Sequence, residues 1–257
     1  MKTTVEIEQF TCRSDNFGVL LRDKASGAVA LVDAPEEAPI LAVIERTGRK
    51  PSLLLVTHHH PDHVEANLAL KERFGLRIVG PAAEAGTIPG IDDKVAENDV
   101  VTLGSQQVRV IETPGHTAGH VSYHLPDAGI AFTGDTLFSL GCGRLLEAGP
   151  EVMFRSLAKL AALPGGTKIY CGHEYTAANA RFALSVDGGN PALQARAKEV
   201  EALLAEGRPT LPTTIAGELA ANPFLRAGDA AIRKALGMED ATDEAVFAEL
   251  RRRKDSF

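Results

Sequence analysis

All eight histidines of this chain fall between His58 and His173, and four of them stand within six positions. That segment, Thr57-His58-His59-His60-Pro61-Asp62-His63, joins imidazoles to a carboxylate and contains no thiol. Imidazole nitrogen and carboxylate oxygen suit zinc, iron or manganese. Alternate residues of an extended backbone point to one side, so His58 and His60 can grip one ion. Asp62 and His63, a turn further on, can reach a second ion a few ångström away. Three histidines in a row would by themselves read as a polar loop or a stray metal-binding run. The whole H-x-H-x-D-H pattern, directly after the apolar run Leu53–Val56, argues against that reading.

Three further segments supply what two ions would still need. Thr113-Pro114-Gly115-His116 follows a β-rich run, as do Thr133-Gly134-Asp135-Thr136 and Cys171-Gly172-His173. Each places an imidazole or carboxylate beside glycine, which lets the backbone approach closely. His116 would complete the imidazole triad of the first ion, and His173 would join Asp62 and His63 on the second. Asp135 could bridge both, and Asp62 and Asp135 are the carboxylates on which catalysis is expected to turn. His59 points away from His58 and His60 and is expected to play a supporting role. His120 is expected to orient local backbone, and His124 to be a sheet residue. Asp33, at a strand end, is either a support for the site or a strand cap.

The elements that must position these residues read as mixed α/β up to about residue 173. β-rich runs cover Val19–Leu21, Ala28–Val32, Leu53–Val56, Ile78-Val79, Val108–Val110, Val121–Leu125, Ile130–Thr133 and Lys168–Cys171. Helical patterns cover Pro39–Arg46, Val64–Phe74 and Glu151–Leu163. After His173 the β runs give way to five helical stretches, 175–184, 192–206, 219–225, 230–236 and 242–253, separated by Gly/Pro/Asn punctuation. A domain of residues 1–173 followed by a helical domain of 174–257 is the expected organisation.

Composition narrows the function classes. The 257 residues carry a net charge of -7, which disfavours a nucleic-acid partner. No apolar run nears the roughly 20 residues that span a bilayer. The start, Met1 to Glu8, has acids where a signal peptide needs an apolar stretch. Three scattered cysteines with no C-x-x-C pair argue against a disulfide framework. A soluble, cytoplasmic, monomeric protein with neither nucleic-acid nor membrane partner is expected.

On these residues the sequence resembles the metallo-β-lactamase superfamily and, within it, the glyoxalase II (hydroxyacylglutathione hydrolase) family. The superfamily signature is Thr57–His63; Thr113–His120, Phe132–Phe138 and Asn222-Pro223-Phe224 match as well, and Gly141-Cys142-Gly143-Arg144, Cys171-Gly172-His173-Glu174-Tyr175 and the tail from Arg251 to Phe257 point to glyoxalase II. The resemblance implies an αββα sandwich with a smaller all-helical C-terminal domain. It implies two divalent ions per chain and hydrolysis of S-(2-hydroxyacyl)glutathione, above all S-D-lactoylglutathione, to the 2-hydroxy acid and glutathione. It carries substrate contacts onto Arg144, Tyr175, Asn179, Arg251 and Lys254. Leu146 departs from the family pattern, which often has an aromatic hydroxyl there, so one substrate hydrogen bond worth about 1 kcal/mol is expected to be missing.

The expected chemistry follows from the ions and the leaving group. Two divalent ions lower the pKa of a bridging water and polarise a carbonyl. A thiolate leaves readily because thiols ionise near about 8.5, so no side chain need protonate the sulfur. A persulfide dioxygenase, a lactonase or a β-lactamase of the same superfamily would use a similar donor set. The complete donors for a second ion and the helical C-terminal stretch speak against the first, and the cationic tail against the other two.

Overall fold

Leu53-Leu54-Leu55 form a strand with every side chain buried, as a parallel strand covered on both faces requires. The computed structural model describes residues 4–257 and places this strand, β4, in the first of two compact units. That unit holds the chain up to Glu112 together with Thr117–Gly134. One six-stranded sheet runs β1 (Val5–Cys12), β2 (Asn16–Asp23), β3 (Val29–Val32), β4 (Leu53–Leu55), β5 (Arg77–Pro81) and β6 (Asp93–Val95) in sequence order. The pairs are antiparallel as far as β3 and parallel from there to β6. The acidic opening read from Met1 to Glu8 lies partly outside the described residues; from Val5 onward it is strand.

Helix α1 (Glu37–Thr47) places Ile40, Val43 and Ile44 on the sheet residues Leu20, Leu31, Leu54 and Ile78. The segment expected as one helix from Val64 to Phe74 is two pieces, α2 (Pro61–Val64) and α3 (Asn67–Phe74). The reason is local. Ala34 donates its N–H to the His63 carbonyl at 2.8 Å, and Ala66 donates to the Ala34 carbonyl at 3.0 Å, so the backbone between the pieces bonds to the loop after β3. That detour tethers His63 beside Asp33.

The antiparallel strands β7 (Val100–Leu103), β8 (Gln106–Glu112), β9 (Val121–Leu125) and β10 (Ile130–Gly134) complete the first unit. β8 alternates buried and exposed positions along Gln106–Val110, the period of a strand with one covered face. Tyr123 of β9 is fully buried, and its hydroxyl donates to the Val56 carbonyl at 2.7 Å beyond the end of β4. At the far end Asp23 accepts from Ser26, Ser105 and Gln106 side chains, joining the turns after β2 and β7.

The second unit comprises Thr113–His116 and Asp135–Phe257. It opens with a small hairpin, β11 (Leu137–Phe138) and β12 (Gly141–Cys142). Helix α4 (Pro150–Ala161) and strand β13 (Lys168–Cys171) follow. Next come α5 (Thr176–Asp187), α6 (Pro191–Ala205), the short strand β14 (Thr213–Thr214), α7 (Ile215–Ala221), α8 (Ala230–Leu236) and α9 (Asp243–Asp255). The punctuation read from the sequence is capping chemistry. Asn190, Thr214, Asp229 and Thr242 each accept from a backbone N–H of the helix that follows, and Pro191 stands at the first position of α6. The stretch expected as one helix over 219–225 is instead the end of α7 and a 3-10 turn, Pro223–Leu225, because Pro223 disfavours helical backbone at Asn222. Among the described residues no helix is long and apolar enough to cross a membrane.

Candidate metal centre and thiol pocket

In the first unit the histidine segment follows β4 and runs into α2, with Thr57, His58 and His63 buried and His59, His60 and Asp62 half-buried. His58 and His63 are buried, with ring centroids 4.1 Å apart, and the His60 ring meets His58 edge-on at 4.8 Å. Asp62 Oδ2 lies 3.9 Å from His63 Nε2. Asn16 donates from Nδ2 to the Asp62 carbonyl at 3.0 Å and to its Oδ2 at 3.1 Å, which fixes the carboxylate. The four side chains of His58, His60, Asp62 and His63 thus lie close together.

Asp33 sets the direction of two of the imidazoles. It has φ 53, a left-handed conformation that aspartate tolerates better than most residues. This turn brings its carboxylate onto Thr57, which donates from N at 2.8 Å and from Oγ1 at 2.9 Å. His63 Nδ1 lies 2.9 Å from Asp33 Oδ2. A carboxylate only accepts, so His63 carries its proton on Nδ1 and its lone pair on Nε2. Thr57 has given its hydroxyl proton to Asp33, so at 3.0 Å it accepts from His58 Nδ1, and the His58 lone pair is likewise on Nε2. Asp33 is a support for the site, the first of the two readings left open above.

His59 turns the other way. Glu84 Oε2 receives its N–H at 2.8 Å and faces its Nδ1 at 2.9 Å, while Glu84 Oε1 receives the Gly119 N–H at 2.8 Å. No sequence pattern singled out Glu84, which lies far along the chain in a 3-10 turn after β5. His120 stacks on His58 at 4.9 Å. Gly134, at φ 45, must be glycine because a side chain there would strike His120 and Thr57. His124 lies on β9, and burial pushes its pKa down.

The second unit gathers the remaining donors. His116 Nε2 lies 3.4 Å and His173 Nε2 3.3 Å from the same oxygen, Asp135 Oδ2, and all three residues are buried. The Arg144 carbonyl lies 2.9 Å from His116 Nδ1, so that nitrogen is the donor and the His116 lone pair is on Nε2. Two electron-pair donors then face each other across 3.4 Å, an arrangement that suits a cation. The Thr113–His116 loop is held by Thr136, which donates to the Thr113 carbonyl at 3.0 Å, and by Ser156, which donates to the Pro114 carbonyl at 2.6 Å. Gly143 leaves room for the Asp135 carbonyl, which any side chain would strike. The donor chemistry of both units therefore fits divalent metal: in His58, His63 and His116 Nδ1 is committed, which leaves Nε2 as the ligand atom, and carboxylates stand beside them.

A cavity of about 290 Å³ within the second unit carries both kinds of residue. It is lined by His116 and Asp135 and also by Arg144, Tyr175, Asn179, Arg251 and Lys254. Tyr175 is 37% exposed rather than core; its ring stacks on His173 at 4.7 Å and 7°. Asn179 donates from Nδ2 to the Ser139 carbonyl at 3.1 Å. Arg251 donates to the Cys142 carbonyl at 2.8 Å and pairs with Asp255 at 2.7 Å, with its guanidinium over the Phe224 ring. Lys254 lies 5.8 Å from the Phe182 and Phe257 rings. Burial, and then the neighbouring Arg251 and Arg181 charges, lower its pKa. Burial pushes the Cys142 thiol up to about 11, so this cavity residue stays protonated. Leu146 is exposed and does not line the cavity.

Comparison with known proteins bears on the whole chain. The metallo-beta-lactamase superfamily model matches residues 19–173, and the model for the hydroxyacylglutathione hydrolase C-terminus matches residues 174–257. A hydroxyacylglutathione hydrolase of Mesorhizobium japonicum is 68% identical over 98% of this chain and 99% of its own length. The chain belongs to the hydroxyacylglutathione hydrolase family. Another member, from a Chelativorans species, is 67% identical over 99% of this chain and 100% of its own length. Among solved structures, ETHE1 from Myxococcus xanthus superposes with a TM-score of 0.70 at 25% identity, covering 96% of this chain and 90% of that one. TTHA1623 in a di-iron-bound form superposes with a TM-score of 0.55 at 28% identity, covering 66% of this chain and 92% of that one. The fold of this hydroxyacylglutathione hydrolase family member is the metallo-β-lactamase fold with an added C-terminal domain.

Proposed function

We propose that the chain hydrolyses S-(2-hydroxyacyl)glutathione, with S-D-lactoylglutathione as the leading substrate, to the 2-hydroxy acid and glutathione. The observation that carries this reading is the single cavity joining His116 and Asp135 to Arg144, Tyr175, Asn179, Arg251 and Lys254. It brings metal donors and carboxylate-binding groups into one cavity, as a thioester of an acidic tripeptide needs. Full-length identity with named hydroxyacylglutathione hydrolases supports the same substrate.

In this reading His58, His60 and His116 would hold one ion, Asp62, His63 and His173 would hold the other, and Asp135 would supply oxygen to both. The di-iron form of TTHA1623 supports two ions, which here are zinc, iron or manganese. When bound, such ions supply a water acidic enough to ionise near neutral pH and a Lewis acid for the carbonyl. The chain's own residues do the rest. Asp33, Thr57 and the Arg144 carbonyl keep three imidazoles in the ligating tautomer, and Tyr175 braces the His173 ring. Arg144, Arg251 and Lys254 bind the glutathione carboxylates, and Asn179 and Tyr175 complete the wall. The departing thiolate needs no acid from the protein. Residues 1–173 form the catalytic domain and 174–257 the substrate-binding domain. A monomer in the cytoplasm suits a glutathione thioester and three free cysteines.

The test is steady-state hydrolysis of S-D-lactoylglutathione beside a lactone and a β-lactam, with metal content measured on the same sample. The thioester is expected to lead by about a hundredfold in kcat/KM, and chelation to abolish turnover until metal is restored. Full activity in metal-stripped protein, or a lactone turned over faster, would overturn the proposal.

A further inference from the structure

The β11–β12 hairpin supplies Phe138 and Cys142 to the cavity wall; the cavity residues Asn179 and Arg251 hold its Ser139 and Cys142 carbonyls, and two buried residues that do not line the cavity, Glu218 and Asn222, hold its turn as well. Leu140 in that turn has φ 58, a left-handed conformation costly for a residue with a Cβ. Its N–H donates to Glu218 Oε2 at 2.8 Å. Asn222 donates from Nδ2 to the Gly141 carbonyl at 3.0 Å, the Phe138 carbonyl at 3.3 Å and Glu218 Oε2 at 2.9 Å. Thr213 Oγ1 donates to Glu218 Oε1 at 2.6 Å and so anchors the acid from β14. Glu218 and Asn222 are at most 1% exposed. A buried acid is expensive unless its oxygens are met, and here three donors meet them. Burial raises the Glu218 pKa even so.

We infer that Glu218 and Asn222 are positioning residues that set the hairpin wall of the glutathione pocket and thereby its affinity for the thiol half of the substrate. This rests on the pocket reading given above. The hairpin is two residues of strand on each side of a strained turn, too short to hold its own shape, so its position is dictated by what grips it. The effect is confined to the thiol wall. The end of the hairpin nearer His116 is pinned separately, by Gly143 donating its N–H to the Thr136 carbonyl at 3.1 Å.

Asn222→Asp tests this, because it turns a donor into a carboxylate facing two carbonyl oxygens and Glu218. Glu218→Gln is the conservative partner, since its amide oxygen can still accept from Leu140 and Asn222 while its NH2 turns to Thr213. The metal-loaded full chain is titrated with S-methylglutathione by calorimetry. It is also assayed on S-D-lactoylglutathione and on the same acyl group carried by N-acetylcysteamine. For Asn222→Asp, Kd and KM for the glutathione ligands are expected to rise about tenfold, with the small thioester changed less than about threefold. Glu218→Gln is expected to stay within about threefold of the parent throughout. Thr213→Val, which removes one anchor of Glu218 at constant shape, is expected to weaken S-methylglutathione about threefold and serves if Asn222→Asp does not fold. Unchanged Kd in folded Asn222→Asp or, where that variant does not fold, in Thr213→Val, or equal losses on both thioesters, would overturn the inference. Failure of the parent protein to bind S-methylglutathione would instead overturn the pocket reading.

Discussion

The imidazoles of the first unit and those of the second are oriented by different means. In the first, a buried carboxylate does the work: Asp33 accepts a hydrogen bond from His63 Nδ1–H at 2.9 Å and, through Thr57, fixes His58. In the second, His116 is fixed by the Arg144 carbonyl at 2.9 Å and His173 by stacking against Tyr175. A charged acceptor forms a hydrogen bond roughly twice as strong as a neutral one. The donors of the first unit should therefore tolerate replacement of their partners least. The second unit gives up some of that rigidity and gains a wall that can double as a substrate pocket, since Tyr175 and Arg144 both brace an imidazole and line the cavity.

Asp33→Asn should break this contrast most sharply. Oδ2 of Asp33 faces both Thr57 Oγ1 and His63 Nδ1, so an amide NH2 at that position forces one of them to become the acceptor. If His63 responds, its proton moves to Nε2 and it is lost as a ligand. Metal affinity and turnover should each fall about a hundredfold, measured by titration of the stripped protein and by kcat. Metal binding at parental strength in Asp33→Asn would show that the carboxylate does not set the tautomer.

Tyr175→Leu should have a smaller effect, about three- to tenfold in kcat/KM, the worth of one ring contact. Tyr175→Phe keeps the ring and separates bracing from substrate contact. If kcat survives in Tyr175→Phe and falls in Tyr175→Leu, stacking on His173 is the main role; if KM rises equally in both, the hydroxyl matters more.

The smallest expected effect concerns pH. Lys254 has its pKa lowered by burial and by Arg251 and Arg181, with Asp255 the opposing charge. A lysine binds a carboxylate only while protonated, so affinity is present at low pH and lost as pH rises through the lowered pKa. Affinity for S-methylglutathione should therefore decline below the ordinary lysine value of 10.5, by about two- to fivefold for one partly exposed ion pair. Lys254→Arg should hold its affinity flat across that range, and a matching decline in that variant would assign the titration to another group.

Much of the arrangement was legible in the chain because it is local. The all-apolar Leu53–Val56 run reads as a covered strand, and Asn190-Pro191 reads as a helix start. The donor types after each strand read as metal ligands because imidazole and carboxylate seldom recur in that way for packing alone. Where the reading failed, long-range bonds were responsible. The expected helix from Val64 to Phe74 is interrupted because Ala34, some thirty residues earlier, captures its backbone. Glu84 carried no signal, since nothing in a 3-10 turn after β5 foretells that it will hold His59 and Gly119. Asn222-Pro223-Phe224 was noted as a matching segment, but its grip on the hairpin is made across 81 and 84 positions.

The sequence by itself determined which atoms could ligate metal, the mixed α/β character before residue 173 and the helical character after it, and the family to which the chain belongs. Those follow from side-chain chemistry and from periodicities of two and 3.6 residues. Only the tertiary structure decided which nitrogen of each imidazole bears the proton. It also decided that Asp33 is a partner rather than a cap, and that Arg251 and Asn179 build the cavity wall they line. A tautomer or a wall position is fixed by whichever acceptor the fold brings within 3 Å, and no local pattern encodes that partner.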